Sequence, residues 1–212
     1  MPADLPPGRT VGPVTKQSLR ARVLARRATR AEPSRTADDE ARTRRVLDLV
    51  DARWPTASAV IACYLSRAPE PGTLVLVDAL RSRGHRILAP VLGRRAGAGT
   101  PRPVAWAWYE GPTRTAPGLW GIPEPMGTAL GAAALHGADL VIASALAAGR
   151  DGTRLGTGGG WFDRALTELP ARVPVWVLLN DDELFGTLPQ EIHDHRVDVL
   201  ITATATHTIP DC

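Results

Sequence analysis

The sequence is poor in lysine, cysteine, tyrosine, phenylalanine and methionine. Lys16 is the single lysine among 25 basic residues, so arginine carries nearly all of the positive charge. The two cysteines, Cys63 and Cys212, stand far apart, and the second ends the chain. That excludes a zinc-type spacing and a disulfide framework. No apolar run approaches the roughly 18 residues of a membrane span, and no signal-peptide apolar core is present, so the reading is a cytoplasmic protein with no membrane partner. The net charge is +3, with much of the positive charge in the first 45 residues, so the total does not mark a nucleic-acid face.

What the chain does have is glycine, proline and tryptophan. Five glycines fall within nine residues, at Gly152, Gly156, Gly158, Gly159 and Gly160. An apolar run, Ala138 to Ala148, precedes them and reads as a buried strand with the turn after it. The segment WFDRALTEL follows and reads as a helix. Strand, glycine loop and helix together present backbone N–H groups to an anion. Arg150 and Arg154 flank the loop and could fork onto phosphate oxygens. The loop matches neither G-x-x-x-x-G-K-[ST] nor G-x-G-x-x-G, so it indicates an anion without saying which. The alternative is a surface loop that is glycine-rich because it turns sharply.

At 212 residues the chain fits one domain, read as a mobile segment 1–13 followed by a single α/β domain over 14–212. A helix is predicted from Thr15, which can cap it, with Leu19, Val23 and Leu24 on one face. Lys16 and Arg20, four apart, share a face; the bland alternative is a solvated basic surface. A second helix is predicted over about 34–51. A strand at 58–65, a helix at 73–82 and a strand at 86–91 form a βαβ unit, and further strands are read at 140–145, 175–179 and 199–202. This alternation predicts an open, mainly parallel sheet with helices on both faces. Ligands of such sheets bind beyond the carboxyl ends of the strands, where SRAPEPGT and the glycine loop both begin.

Trp106, Trp108, Tyr109 and Trp120 lie close together. They either line a flat pocket for a heteroaromatic ligand or pack a hairpin edge. Asp181, Asp182 and Glu183 form an acidic turn, read as a solvated helix start rather than a second metal site. His193 and His195 lack a third nearby ligand and read as a loop pair. Ser144 has no nucleophile-elbow context.

Five ordered blocks carry a family resemblance. They are Lys16 with Arg20; YLSRAPEPGT with Glu70; a tryptophan followed by GIPEP; ADLVIASALA leading to RLGTGGGWFDRAL; and HD at 193–194. The chain resembles the 5-formyltetrahydrofolate cyclo-ligases, also called 5,10-methenyltetrahydrofolate synthetases. The resemblance implies a three-layer α/β/α fold of the ribose-5-phosphate isomerase and coenzyme A transferase kind, with ATP as cosubstrate, magnesium as metal and a folate as substrate. It assigns ATP to Lys16, Arg20, Arg154, Gly156, Thr157, Gly158, Gly159, Gly160, Trp161 and Phe162. It assigns the folate to Leu65, Glu70, Trp106 or Trp108, and Trp161, and magnesium to Asp163 and Asp194. Arg154 and Asp163 are the implied catalytic pair, and a monomer or weak homodimer is expected. In the implied reaction the formyl oxygen is phosphorylated, N10 attacks the activated carbon, and phosphate leaves.

The chain departs from the family at Trp161 and Phe162, where many members have tyrosines, and at Ser144, where a proline is common. Gly159 stands where some members have lysine. Loss of the phenols and the wider indole predict a narrowed or reshaped pocket beside an intact phosphate loop. Two other readings stay open: a relative that uses ATP to activate a different formyl or amide group, and a non-catalytic folate- or nucleotide-binding protein.

Overall fold

The computed structural model describes residues 15–93, 103–189 and 195–210. The expectations placed on residues 1–13, His193 and Asp194 lie outside these.

Helix α1 (Lys16–Thr29) begins where the sequence predicts. The Thr15 hydroxyl accepts the Ser18 amide at 3.1 Å, and the Ser18 hydroxyl accepts the Thr15 amide at 3.1 Å. This reciprocal box satisfies donors that a helix start otherwise leaves open. Leu19 and Val23 are buried, whereas Leu24 is exposed and turns toward the cavity described below, so the three do not share one core face. Helix α2 (Glu32–Arg53) starts two residues earlier than predicted, with Pro33 in its first turn, a position where a missing N–H costs nothing.

The strands are β1 (Val60–Cys63), β2 (Arg86–Pro90), β3 (Ala105–Trp108), β4 (Thr115–Pro117), β5 (Pro123–Pro125), β6 (Leu130–Gly131), β7 (Leu140–Ala143), β8 (Ala147–Gly149), β9 (Arg154–Leu155), β10 (Val175–Leu178), β11 (Leu184–Phe185), β12 (Val199–Ile201) and β13 (Thr206–Thr208). Helices α3 (Leu74–Ser82) and α4 (Trp161–Leu166) connect β1 to β2 and β7 to β10. The main sheet has the order β13-β12-β10-β7-β1-β2-β3-β6. Its five central strands pair in parallel, with Ile61 opposite Leu140 and Trp176 opposite Ile142, and its edges are antiparallel.

Topology explains the layers. From β1 the chain moves to β2 on one side, and from β7 it moves to β10 on the other. Right-handed crossovers in opposite directions place α3 and α4 on opposite faces. Helix α2 packs on α3, so the result is the three-layer α/β/α arrangement with a mainly parallel sheet. The central strands are covered on both faces, so they read as unbroken apolar runs such as Leu140–Ala143 and Val175–Leu178.

The reversal of direction falls between neighbouring strands β1 and β7. Their carboxyl ends diverge there and leave a crevice at a topological switch point. A small second sheet, β11-β8-β9, follows β7. Helix α1 packs on it through Leu19 and Val23 against Leu146, Ala147, Leu155 and Leu188. That separate apolar cluster carries the N-terminal helix to the start of the glycine loop. Among the described residues, no helix is long and apolar enough to cross a membrane.

Candidate functional site

One wall of the crevice is the loop after β1. The Tyr64 hydroxyl donates to Pro71 O at 2.8 Å, and the Thr73 hydroxyl donates to Tyr64 O at 2.7 Å. The Ser66 and Thr73 amides each donate to the other residue's hydroxyl, at 2.9 and 2.8 Å. Burial pushes the Tyr64 phenol well above its ordinary range, and the nearby Glu70 charge adds to the shift. Gly72 lies against α2, where its amide donates to Asp39 Oδ1 at 2.7 Å. A Cβ there would meet Asp39 Oδ2 at 2.4 Å, so any other residue would have to displace the Asp39 carboxylate. Within this pinned loop the Glu70 carboxylate accepts the Arg67 amide at 2.9 Å and lines the cavity.

The opposite wall is the glycine loop. Arg20 reaches from α1 and donates from Nε to Gly156 O at 2.9 Å. Arg164 reaches back from α4 and donates from Nη1 to Gly159 O at 3.2 Å. Gly160 caps α4 in the left-handed region, at φ 61°, which lets the chain turn into the helix without a Cβ penalty. The amides of Gly158, Gly159 and Gly160 donate to no other described residue. Below the loop, the Arg154 guanidinium pairs with Asp163 and reaches toward Ser144 O at 3.4 Å. The Arg154 side chain is 2% exposed, whereas the Asp163 carboxylate is 35% exposed.

Aromatic rings form the floor. Trp161 lies edge-on to Trp106 at 4.9 Å and to Phe162 at 5.0 Å between ring centroids. Trp106 is wholly buried behind Trp161, and Trp108 lies beneath the Arg86 guanidinium, 3.7 Å from its ring centre. Neither lines the cavity, which corrects the expectation that one of them faces a pterin. They pack the strand edge, with Trp106 as backing for Trp161. The aromatic that does reach the cavity from that stretch is Trp120, 65% exposed and held by Arg67, which donates to its carbonyl.

The cavity measures about 680 Å³ and is bounded by both loops and α4. Such a volume lies in the ordinary range of small-molecule sites, so the Trp161 indole has not closed it. The predicted residues Leu65, Glu70, Arg154, Gly156, Thr157, Gly159, Gly160, Trp161, Phe162 and Asp163 all line it. Lys16, Arg20 and Gly158 do not; Arg20 braces the loop from outside, and Lys16 lies in the first turn of α1. Sequence reasoning missed Arg67, Leu24 and Arg164 as cavity residues. Trp120, one of the four aromatics read as possible pocket lining, directly precedes GIPEP and does line the cavity. Glu124 of that motif accepts the amides of Leu92 at 3.2 Å and Leu119 at 3.3 Å, so it ties the rim together.

Glu183 also departs from expectation. Instead of a solvated helix start, it is buried and paired with Arg27 at 2.6 Å. Among the described residues, no group of three or more histidine, cysteine, aspartate or glutamate side chains could enclose a metal by itself. Among the described residues, Asp163 presents its carboxylate to the loop. That fits magnesium, which takes one or two carboxylates and completes its shell with phosphate oxygens and water.

A model of the 5-formyltetrahydrofolate cyclo-ligase family matches residues 13–203. A 5-formyltetrahydrofolate cyclo-ligase of Mycolicibacterium smegmatis is 33% identical over 192 residues, covering 91% of this chain and 95% of that protein. The solved structure of 5,10-methenyltetrahydrofolate synthetase from Aquifex aeolicus superposes with a TM-score of 0.71 at 22% identity, covering 93% of this chain and 94% of that one. The Mycoplasma pneumoniae 5,10-methenyltetrahydrofolate synthetase gives 0.67 at 17% identity, over 90% of this chain and 99% of that one. The two structures speak for the fold, and the first two matches speak for the family. The chain belongs to the 5-formyltetrahydrofolate cyclo-ligase family.

Proposed function

We infer that this chain catalyses the ATP-dependent closure of 5-formyltetrahydrofolate to 5,10-methenyltetrahydrofolate. Beyond family membership, one observation carries the reading. A single cavity at the switch point joins a glycine loop with cations around it to an acid and aromatic wall. The first half suits a triphosphate, and the second suits a flat heterocycle with N–H groups.

The chemistry follows from the substrate. A formyl group on nitrogen is amide-like and resists attack by a nearby amine. Transfer of the terminal phosphoryl to the formyl oxygen breaks the bond to ADP and turns that oxygen into a leaving group. N10 then attacks the carbon, the C–O bond breaks, phosphate departs and the N10 proton is lost. The protein's task in such a transfer is positioning and charge neutralisation. The loop amides and Arg154 receive phosphate oxygens. Glu70, with one oxygen engaged by the Arg67 amide, keeps the other for the N–H edge of the pterin. Trp161 and Trp120 hold the ring faces. Magnesium, when bound at Asp163 with Asp194 as second candidate, would offset phosphate charge.

Mixing the protein with ATP, magnesium and 5-formyltetrahydrofolate tests this directly. Near-ultraviolet absorbance of the methenyl product should appear together with stoichiometric ADP. ATP turnover without that absorbance would point to a different formyl or amide substrate, and absence of both would leave a binding protein.

A further inference from the structure

We propose that Arg164 contacts the terminal phosphates of the nucleoside triphosphate and supplies a cation from α4 to a glycine loop that carries none of its own. The proposal deepens the reading above and rests on the same cavity. Between Gly156 and Gly160 the loop contains only glycine and Thr157, so any positive charge must come from elsewhere. Three arginines surround it and differ in access. Arg20 grips Gly156 O from outside the cavity. Arg154 lines the cavity from beneath, with its side chain almost wholly buried and Asp163 against it. Arg164 lines the cavity from α4, over the loop.

Its placement is a product of helix geometry. Arg164 lies one turn into α4, where its amide donates to Gly160 O at 3.2 Å. Side chains on a helix lean toward its N-terminus, so this one folds back over the loop. Nη1 reaches Gly159 O at 3.2 Å, and a Cβ built on Gly160 would lie 3.1 Å from the same nitrogen. The guanidinium therefore lies beside Gly159 and Gly160. Its planar fork matches the oxygens of a phosphate bound at that end of the loop.

The test compares binding of a non-hydrolysable ATP analogue with binding of ADP, by calorimetry in the presence of magnesium. Arg164→Ala should weaken the analogue roughly 10- to 100-fold, the loss of a charge-assisted hydrogen bond, and weaken ADP far less. Gly159 has an ordinary φ and open space around its Cβ position, so Gly159→Lys can be introduced without strain. Added to Arg164→Ala, it should restore much of the preference for the analogue. Unchanged analogue affinity, or equal losses for analogue and ADP, would overturn the assignment and leave Arg164 as a brace for the loop. Should Arg164→Ala fail to fold, Arg164→Gln keeps the stem and is read by the same ratio. The binding ratio is independent of turnover: wild-type protein that binds the analogue but forms no methenyl product overturns the proposed activity, not this assignment.

Discussion

Two arginine–carboxylate pairs stand near the carboxyl ends of the central strands, and they are built differently. Arg27 and Glu183 are each 2% exposed and meet through two bonds, of 2.6 and 2.8 Å. Further hydrogen bonds surround them. Arg27 also donates to Ala145 O at 2.8 Å, and Glu183 accepts the amide and side chain of Asn180 at 2.9 and 2.8 Å. Arg154 and Asp163 meet through one guanidinium nitrogen, with the arginine buried and the carboxylate open to the cavity. The closed pair clamps α1 to the ends of β7 and β10, so it acts on the frame. The open pair keeps carboxylate surface available to a metal or ligand, so it acts on the chemistry.

Breaking the closed pair should give the largest effect. Glu183→Gln leaves a buried guanidinium without its counter-charge, a loss of about 3–5 kcal/mol in pairs of this kind. Denaturant unfolding should show it as a lower midpoint, while turnover per folded molecule stays near wild type. An unchanged midpoint would mean that the clamp contributes no net stability.

Asp163→Asn should do the reverse. Its carboxylate is partly solvated although Arg154 is buried, so the stability loss should be smaller than that of Glu183→Gln. Turnover should fall roughly 100-fold or more, because charge placed for a transition state is lost. The magnesium requirement should rise as well. If both variants lower stability alike and leave turnover alone, the distinction between the pairs collapses.

A smaller effect separates the two halves of the cavity. Trp120 is the one non-glycine among the described residues with positive φ, at 56°. That conformation is disfavoured by about 1–2 kcal/mol for a residue with a side chain. Trp120→Gly should therefore gain stability while the Michaelis constant for the folate rises, roughly three- to tenfold for a lost aromatic contact. The constant for ATP should not move. A parallel rise in both would place Trp120 in the architecture of the whole site and not on the folate side.

The frame was legible because its signals are local and periodic. Thr15 announces a capped helix, and continuous apolar runs announce strands covered on both faces. The glycine loop was legible because few other residues could make those turns. What failed depended on distant neighbours. Alternation puts Trp106 and Trp108 on one face of β3, but only the fold reveals that Trp161 stands between Trp106 and the cavity. Glu183 looked like a solvated helix start because its partner, Arg27, is 156 residues away. Arg164 was not singled out, because its place over the loop depends on where α4 starts.

The smallest expected effect is a titration that senses the open pair alone. Burial lowers the pKa of His195; Asp198 and Asp163 oppose that shift, and Arg154 reinforces it. His85 is lowered too, chiefly by burial, and its Nδ1 accepts the Ala59 amide at 3.1 Å, which keeps it neutral at that nitrogen. Both histidines fold preferentially in the neutral form. Their contribution to stability is therefore full above the ordinary imidazole range and is lost as pH falls through the lowered folded values. Metal-free protein followed by NMR should show both rings titrating below the usual imidazole range, with His195→Gln identifying one resonance. Asp163→Asn removes a negative charge that favours protonated His195, so that resonance should move to still lower pH. Glu183→Gln should leave it where it is, because the closed pair spends its charge internally. A His195 resonance that shifts in both variants, or in neither, would show that the open pair's field does not reach its surroundings differently from that of the closed pair.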